Sequence, residues 1–199
     1  MIYPYRIMTE KSKGNIKEEA VHAALKLVAE RGWEQVSLRD IAGALGIGLG
    51  ELREYVEDKT DILVALGRMI DRKVLEAVGE GDSESSPRDR LFDVLMERYE
   101  ALNDYREGIC AVLDSFLCDP KQAVIGLPHL ARSMSWMLEA AGIGTEGVKG
   151  AVKVAGLTAI YLKVLKAWKE DESADLSKTM AALDGALGHA DRMAGVLGL

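Results

Sequence analysis

Side chains whose types and spacing could do chemistry gather in one short stretch, GALGIGLGELREYVEDKTDIL at residues 43–63. There Glu51, Arg53, Glu54, Tyr55 and Lys59 follow a tight turn at Gly46-Ile47-Gly48. On a short exposed helix these groups can meet a nucleic acid. Lys59 and Arg53 can neutralise phosphates, Arg53 can donate to guanine, and Glu51 or Glu54 can accept from the N4 amino group of cytosine in the major groove. A carboxylate turned toward phosphates repels them instead, so the same helix carries an opposing term. A second reading stays open: Glu51, Arg53 and Glu54 form a solvated helix face, with Arg53 paired to Glu57 four residues on.

Catalytic chemistry has no comparable footing. No G-x-S-x-G occurs, no glycine-rich phosphate loop follows a strand, and no nucleophile and base share a recognisable motif, so the chain does not read as an enzyme. His22, His129 and His189 are scattered, and Cys110 and Cys118 are too few for a disulfide framework; no metal site and no cofactor are expected, and the cysteines read as buried thiols.

Bulk charge points away from a sequence-blind polyanion binder. The 199 residues carry a formal net charge of −7, and residues 1–64 hold nine basic against eleven acidic side chains. Arg6, Lys11, Lys13 and Lys17 could form a basic arm that tracks a phosphate backbone, or a merely solvated tail. No apolar run reaches the roughly 18 residues that span a bilayer, and the start lacks the apolar centre of a secretory signal, so a cytoplasmic protein without a membrane partner is expected.

The elements that must position these groups are helical. Hydrophobic residues make up 48% but aromatics only 6%, and β-branched residues are scarce, which favours an all-α fold. Ile16, Ala20, Ala23, Ala24, Leu27 and Val28 recur at helical spacing up to Gly32; Ser37 and Asp40 open a second helix, and Leu49 to Tyr55 form a third. Lys59 begins a longer helix, ended by the Gly, Ser and acid-rich residues 79–86, where Ser86-Pro87 restarts the chain. From Glu107 to Ala141 only six of 35 residues are charged, which marks an interior; Pro120 and Pro128 predict a break there, with helices near 105–118 and 128–141.

The head is similar to the TetR family of transcriptional regulators. AALKLVAERGWEQVSLRDIAGALGIGLGELREYVEDKTDIL carries the likeness, in particular Ala24, Gly32, Ser37, Ile41, Ala42, Gly46, Ile47, Leu52, Tyr55, Lys59 and Leu63, without a gap. The resemblance implies about nine helices: a helix-turn-helix DNA-binding domain at residues 12–58, and a helical ligand-binding and dimerisation domain at 59–199. It implies DNA-facing roles for Ser37, Gly48, Leu49, Glu51, Arg53, Tyr55 and Lys59, with Lys59 approaching a phosphate and Tyr55 facing the backbone. Gly48, Glu51 and Arg53 depart from the Ser-like cap, Thr or Ala, and Tyr that family members usually place there.

In the body, Phe116, His129, Arg132, Met134 and Met137 fall in the charge-poor stretch, beside Trp136. They read either as packed core or as the lining of an apolar pocket in which His129 or Arg132 orients a polar group. A last helix follows from near Asp175. Ala155, Ala159 and Leu162 of the penultimate helix, with Met180, Leu183, Leu187 and Ala190 of the last, suit a four-helix bundle made by two subunits. WKEDESADLSKTMAALDGAL, through Trp168, Asp171, Ser173, Asp175, Thr179, Leu183 and Asp184, is also similar to a ubiquinone-biosynthesis accessory protein with a TetR-like fold that binds lipid. Two functions are therefore carried forward. One is a homodimeric repressor on a double-stranded DNA operator, controlled by a small apolar or amphipathic effector. The alternative is a lipid or isoprenoid-quinone binder that has lost DNA recognition.

Overall fold

The computed structural model describes the backbone of residues 10–79, 85–118 and 120–197 and the side chains of 16–79, 85–116 and 124–192. Among them every regular element is helical. In order come α1 (Glu10–Arg31), a 3-10 turn (Trp33–Gln35), α2 (Leu38–Leu45), α3 (Leu49–Arg53), α4 (Lys59–Val78) and α5 (Pro87–Asn103). α6 (Arg106–Cys118), α7 (Pro120–Ala140), α8 (Gly147–Lys169) and α9 (Ser177–Leu197) complete the chain. None of these helices is long and apolar enough to cross a membrane.

Local chemistry explains where the first helices stop and start. Ser37 caps α2 reciprocally: its Oγ accepts from the Asp40 N–H at 3.2 Å while its own N–H donates to the Asp40 carboxylate at 2.8 Å. Gly46, at φ 68°, ends α2 in the left-handed region, with Ile47 N–H returning to the Ala42 carbonyl at 3.1 Å; a side chain at 46 would be strained there.

Two sequence expectations need correction. Pro128 does not break the chain: α7 starts at Pro120 and runs through Pro128 to Ala140. Pro120 sits at the helix start, where its missing N–H costs nothing, and Pro128 is carried inside a helix long enough to absorb one lost bond. The basic arm also falls differently. Lys11, Lys13 and Lys17 lie within α1, and Lys17 Nζ donates to both oxygens of Asp61 at 2.8 Å, tying α1 to α4. Arg6 and residues 80–84 of the acidic loop lie outside the described residues.

The chain divides into two compact units, residues 1–69 with 107–126, and residues 70–106 with 127–199. In the first, Ala20, Val21, Ala24 and Val28 of α1 are buried with Ile41, Leu52, Val56 and Ile62. Gly108 explains how α6 joins this unit: a Cβ there would stand 2.8 Å from both the Cβ and the carbonyl oxygen of Leu25, an approach open only to glycine.

The second unit packs the remainder of α4 with α5, most of α7, α8 and α9. Tyr99 stacks on Tyr161 with ring centroids 5.1 Å apart, and its hydroxyl donates to the Tyr161 carbonyl at 2.9 Å. At the α8–α9 corner Trp168 is fully buried and donates to Asn103 at 3.0 Å. The Arg106 guanidinium lies 4.6 Å over its ring and donates to the Trp168 carbonyl at 2.7 Å. Asp171 closes the corner, accepting from the Thr179 N–H and Oγ1, each at 2.7 Å, and from Ser173. Ser173 and Asp175 both accept from the Ser177 N–H, so capping of α9 is shared among three side chains.

Candidate nucleic-acid interface

The turn between α2 and α3 sets α3 on the outside of the first unit. Leu52 anchors it from beneath at 1% exposure, while Leu49, Gly50, Glu51, Arg53 and Glu54 are exposed and Tyr55 is half-buried. Gly48 opens α3 with no side-chain cap; the Leu52 N–H donates to its carbonyl at 3.0 Å. Among the described residues Arg53 has no ion-pair partner, so the pairing with Glu57 is not formed and its guanidinium is available outward.

Beside α3 lies an open groove of about 970 Å³. Its walls are Ser37, Leu38 and Arg39 at the start of α2, Leu49, Gly50 and Arg53 of α3, and Lys59 and Thr60 at the start of α4. Two helix amino termini thus border one groove; Ser37 with Asp40 caps one and Asp58 the other, and the positive end of each helix dipole faces this side. Arg39, Arg53 and Lys59 add three cations against Glu34 and Asp58. The unit is acidic in total, yet the lining of this groove carries one more cation than carboxylate.

Lys59 is not a free side chain. Its Nζ donates to the Trp33 carbonyl at 2.5 Å and stands 4.5 Å over the Trp33 ring. Burial lowers its pKa from the usual lysine value, with Glu34 opposing that shift. The amine borders the groove while being positioned from within, so a contacting phosphate would meet a preset charge. Asp58 caps α4 by accepting from the Asp61 N–H at 2.8 Å. At α2, hydrogen bonds from Ser37 hold the Asp40 carboxyl below its ordinary value.

The predicted effector residues are not brought together. Met134 and Met137 are fully buried and His129 is half-buried, but Arg132 is exposed on the opposite face of α7 with Trp136, so it cannot orient a molecule in the interior. Phe116 is half-buried and belongs to the first unit. A cavity of about 600 Å³ in the second unit is lined by none of the five; it lies among Leu91, Leu138, Ile143, Val152, Leu157, Ile160 and Leu187. Sequence reasoning also missed Asp71 and Arg98. The available signal was Arg98 standing three residues after Leu95 and seven after Leu91, a charge on an apolar stripe.

The subunit-contact residues separate into two sets. Ala155, Ala159, Leu162 and Met180 are exposed, continuing an apolar outer face of α8 that includes Val148 at 83% and Val152 at 47% exposure. Leu183 and Leu187, at 0% and 4%, turn into their own subunit, and Ala190 is half-buried beside the cavity. The 3-4 spacing of α9 thus marks its inner stripe. This corrects the placement of Leu183 and Leu187 on an outer seam.

No family model matches the chain. Among curated proteins it is similar to the HTH-type transcriptional regulator PksA of Bacillus subtilis, 28% identical over 95 residues, which cover 47% of this chain and 44% of that protein. The match therefore spans less than half of that relative. Among solved structures it is similar to a TetR transcriptional regulator from Nitrosomonas europaea, with a TM-score of 0.70 and 26% identity over 88% of this chain and 98% of the other. A TetR transcriptional regulator from a Rhodococcus species shares the fold at a TM-score of 0.58 and 20% identity, over 90% of this chain and 98% of the other. These relatives are regulators, and the lipid-binding alternative is not favoured.

Proposed function

We infer that this chain, which belongs in fold and in head sequence with the TetR-family transcriptional regulators, is a sequence-selective DNA-binding regulator acting as a homodimeric repressor. One observation carries the reading: an exposed α3 stands beside a groove bordered by two helix amino termini and three cations, in a chain otherwise acidic. Phosphates enter that groove and meet Arg39, Lys59 and Thr60, and α3 takes the major groove with Arg53 and Glu51 toward base edges. The outer faces of α8 and α9 supply the two-fold contact, so two heads reach successive major grooves about one helical turn apart. A small apolar effector in the second unit shifts the equilibrium between states that hold operator well and poorly. The protein works where chromosomal DNA is, in the cytoplasm.

Gel-shift titration over the promoter beside its own gene tests this. The expected result is a salt-sensitive, sequence-selective complex of two subunits per site. Absence of any complex at low salt, with lipid co-purifying in native mass spectrometry, would return the lipid-binding alternative.

A further inference from the structure

The cavity of about 600 Å³ in the second unit opens between the start of α5, the turn after α7, the amino-terminal part of α8 and the latter part of α9. Leu91, Leu138, Leu157 and Leu187 line it as buried side chains, Ile143 and Ile160 as half-buried ones. The buried pair of Arg98 with Asp71 does not reach it. Its charged lining is uneven. Arg88 is already committed, donating to Asp184 Oδ1 at 2.6 Å and lying 3.2 Å from the Asp89 carboxylate. Asp191 is exposed, whereas Lys153 is half-buried and, among the described residues, makes no hydrogen bond or ion pair. One wall is a helix glycine: Gly156 of α8 lines the cavity, and a Cβ there would meet nothing within 4 Å.

We propose that this cavity is the effector site, and that its ligand is a single-chain amphiphile with an anionic head, the chain among the leucines and the head on Lys153. Its volume falls within the roughly 300–1,000 Å³ of small-molecule pockets, and a lining of aliphatic side chains gains most from covering by hydrocarbon. Charge selects the head. A lysine drawn partly out of water gains from an anion, and the exposed Asp191 opposes that anion only weakly, through solvent. A neutral head leaves Lys153 unanswered, and a cationic one meets two like charges, Lys153 and Arg88. Val152 both lines the cavity and continues the exposed face of α8, so a bound chain borders the surface proposed for subunit contact. Occupancy can bear on dimer geometry there.

This rests on reading the second unit as the effector domain, so binding is measured on the full chain without DNA, by calorimetric titration with decanoate, decyl phosphate and 1-decanol. At least one anion should bind about tenfold more tightly than the alcohol, the worth of one charge-assisted hydrogen bond, and the tighter of the two names the head. Lys153→Met keeps the stem but removes the charge, and should abolish that preference while leaving 1-decanol unchanged. Gly156→Leu puts a side chain into the open wall of a helix that tolerates leucine better than glycine, and should weaken all three ligands at least tenfold; it serves if the first variant fails to fold. Equal affinity for alcohol and anions, a preference that survives Lys153→Met, or full binding by Gly156→Leu would overturn the proposal. Flat titrations with every ligand would also overturn it, and loss of the dimer in Gly156→Leu would then assign the cavity to a second copy of the chain. A gel shift on the same preparation keeps the two ideas apart: an anion bound by a protein that retards no DNA sinks the regulator reading alone.

Discussion

Lys59 Nζ reaches the main-chain oxygen of Trp33 at 2.5 Å and lies 4.5 Å over its indole ring, so the first residue of α4 is fastened to the turn that precedes α2. This link fixes one wall of the groove against another. Lys59→Met keeps the packing stem but removes the charge. DNA affinity should fall several-fold, evenly across sequences, with the salt slope reduced by about 1; the head should also lose roughly 1 kcal/mol from the missing hydrogen bond and ring contact. Fluorescence anisotropy against salt concentration, paired with urea unfolding, measures both; a change confined to one operator base pair would contradict it.

Glu51 is exposed on α3, where a carboxylate opposes phosphates. Glu51→Thr should strengthen binding several-fold at low salt, and the gain should shrink as added salt screens the repulsion. Lost preference for cytosine at one position would instead identify Glu51 as a base reader.

Gly108 is a helix residue, where alanine would ordinarily stabilise by about 1 kcal/mol. Here the added methyl meets the Leu25 carbonyl oxygen at 2.8 Å, and backbone cannot rotate away. Gly108→Ala should therefore destabilise by roughly 1–3 kcal/mol. Thermal melting reads the sign, and a rise in melting temperature would show that α6 does not press on α1 as described.

Asp171 gives an acid-dependent contribution to stability. Its burial would raise the carboxyl pKa, but hydrogen bonds from Ser173 and Thr179 together outweigh that and hold it well below the ordinary range. The folded state thus binds this proton less readily than the unfolded chain. The contribution is complete above the unfolded value, near about 4, and drains away as pH falls through the lower folded one. Wild-type stability should decline between roughly pH 5 and 2, whereas Asp171→Asn should start lower and decline less. Parallel curves for the two proteins would exclude this account.

Leu162 and Leu187 face opposite ways. Leu162 is 40% exposed on the outer side of α8, and Leu187 is 4% exposed within its own subunit. Leu162→Glu should leave a folded monomer by light scattering, while Leu187→Glu should cost roughly 3 kcal/mol or more of folding stability by burying an unpaired charge. A folded dimer carrying Leu187→Glu would mean that α9 is turned the other way.

Much of the molecule was legible in the chain itself, because those parts depend on neighbours in sequence. Ser37 with Asp40 three residues later, Gly32 at positive φ, Gly46 in the left-handed conformation, and Ser86-Pro87 at the start of α5 are local devices, and each acts where its spacing placed it. Helical periodicity likewise gave the number and order of the helices. Which side of a helix finds a partner is a different matter, since a 3-4 stripe fits an inner face as well as an outer one. Only packing turned Leu183 and Leu187 inward, left Val148 and Leu162 outside, and set Arg132 opposite Met134. Contacts between distant residues were beyond the sequence for the same reason. Lys59 with Trp33, Gly108 with Leu25, and Arg98 with Asp71 are 26, 83 and 27 residues apart, and no short-range preference encodes them. The chain by itself determined helices, caps and the family likeness of the head; the tertiary structure decided which charges are held and which are offered.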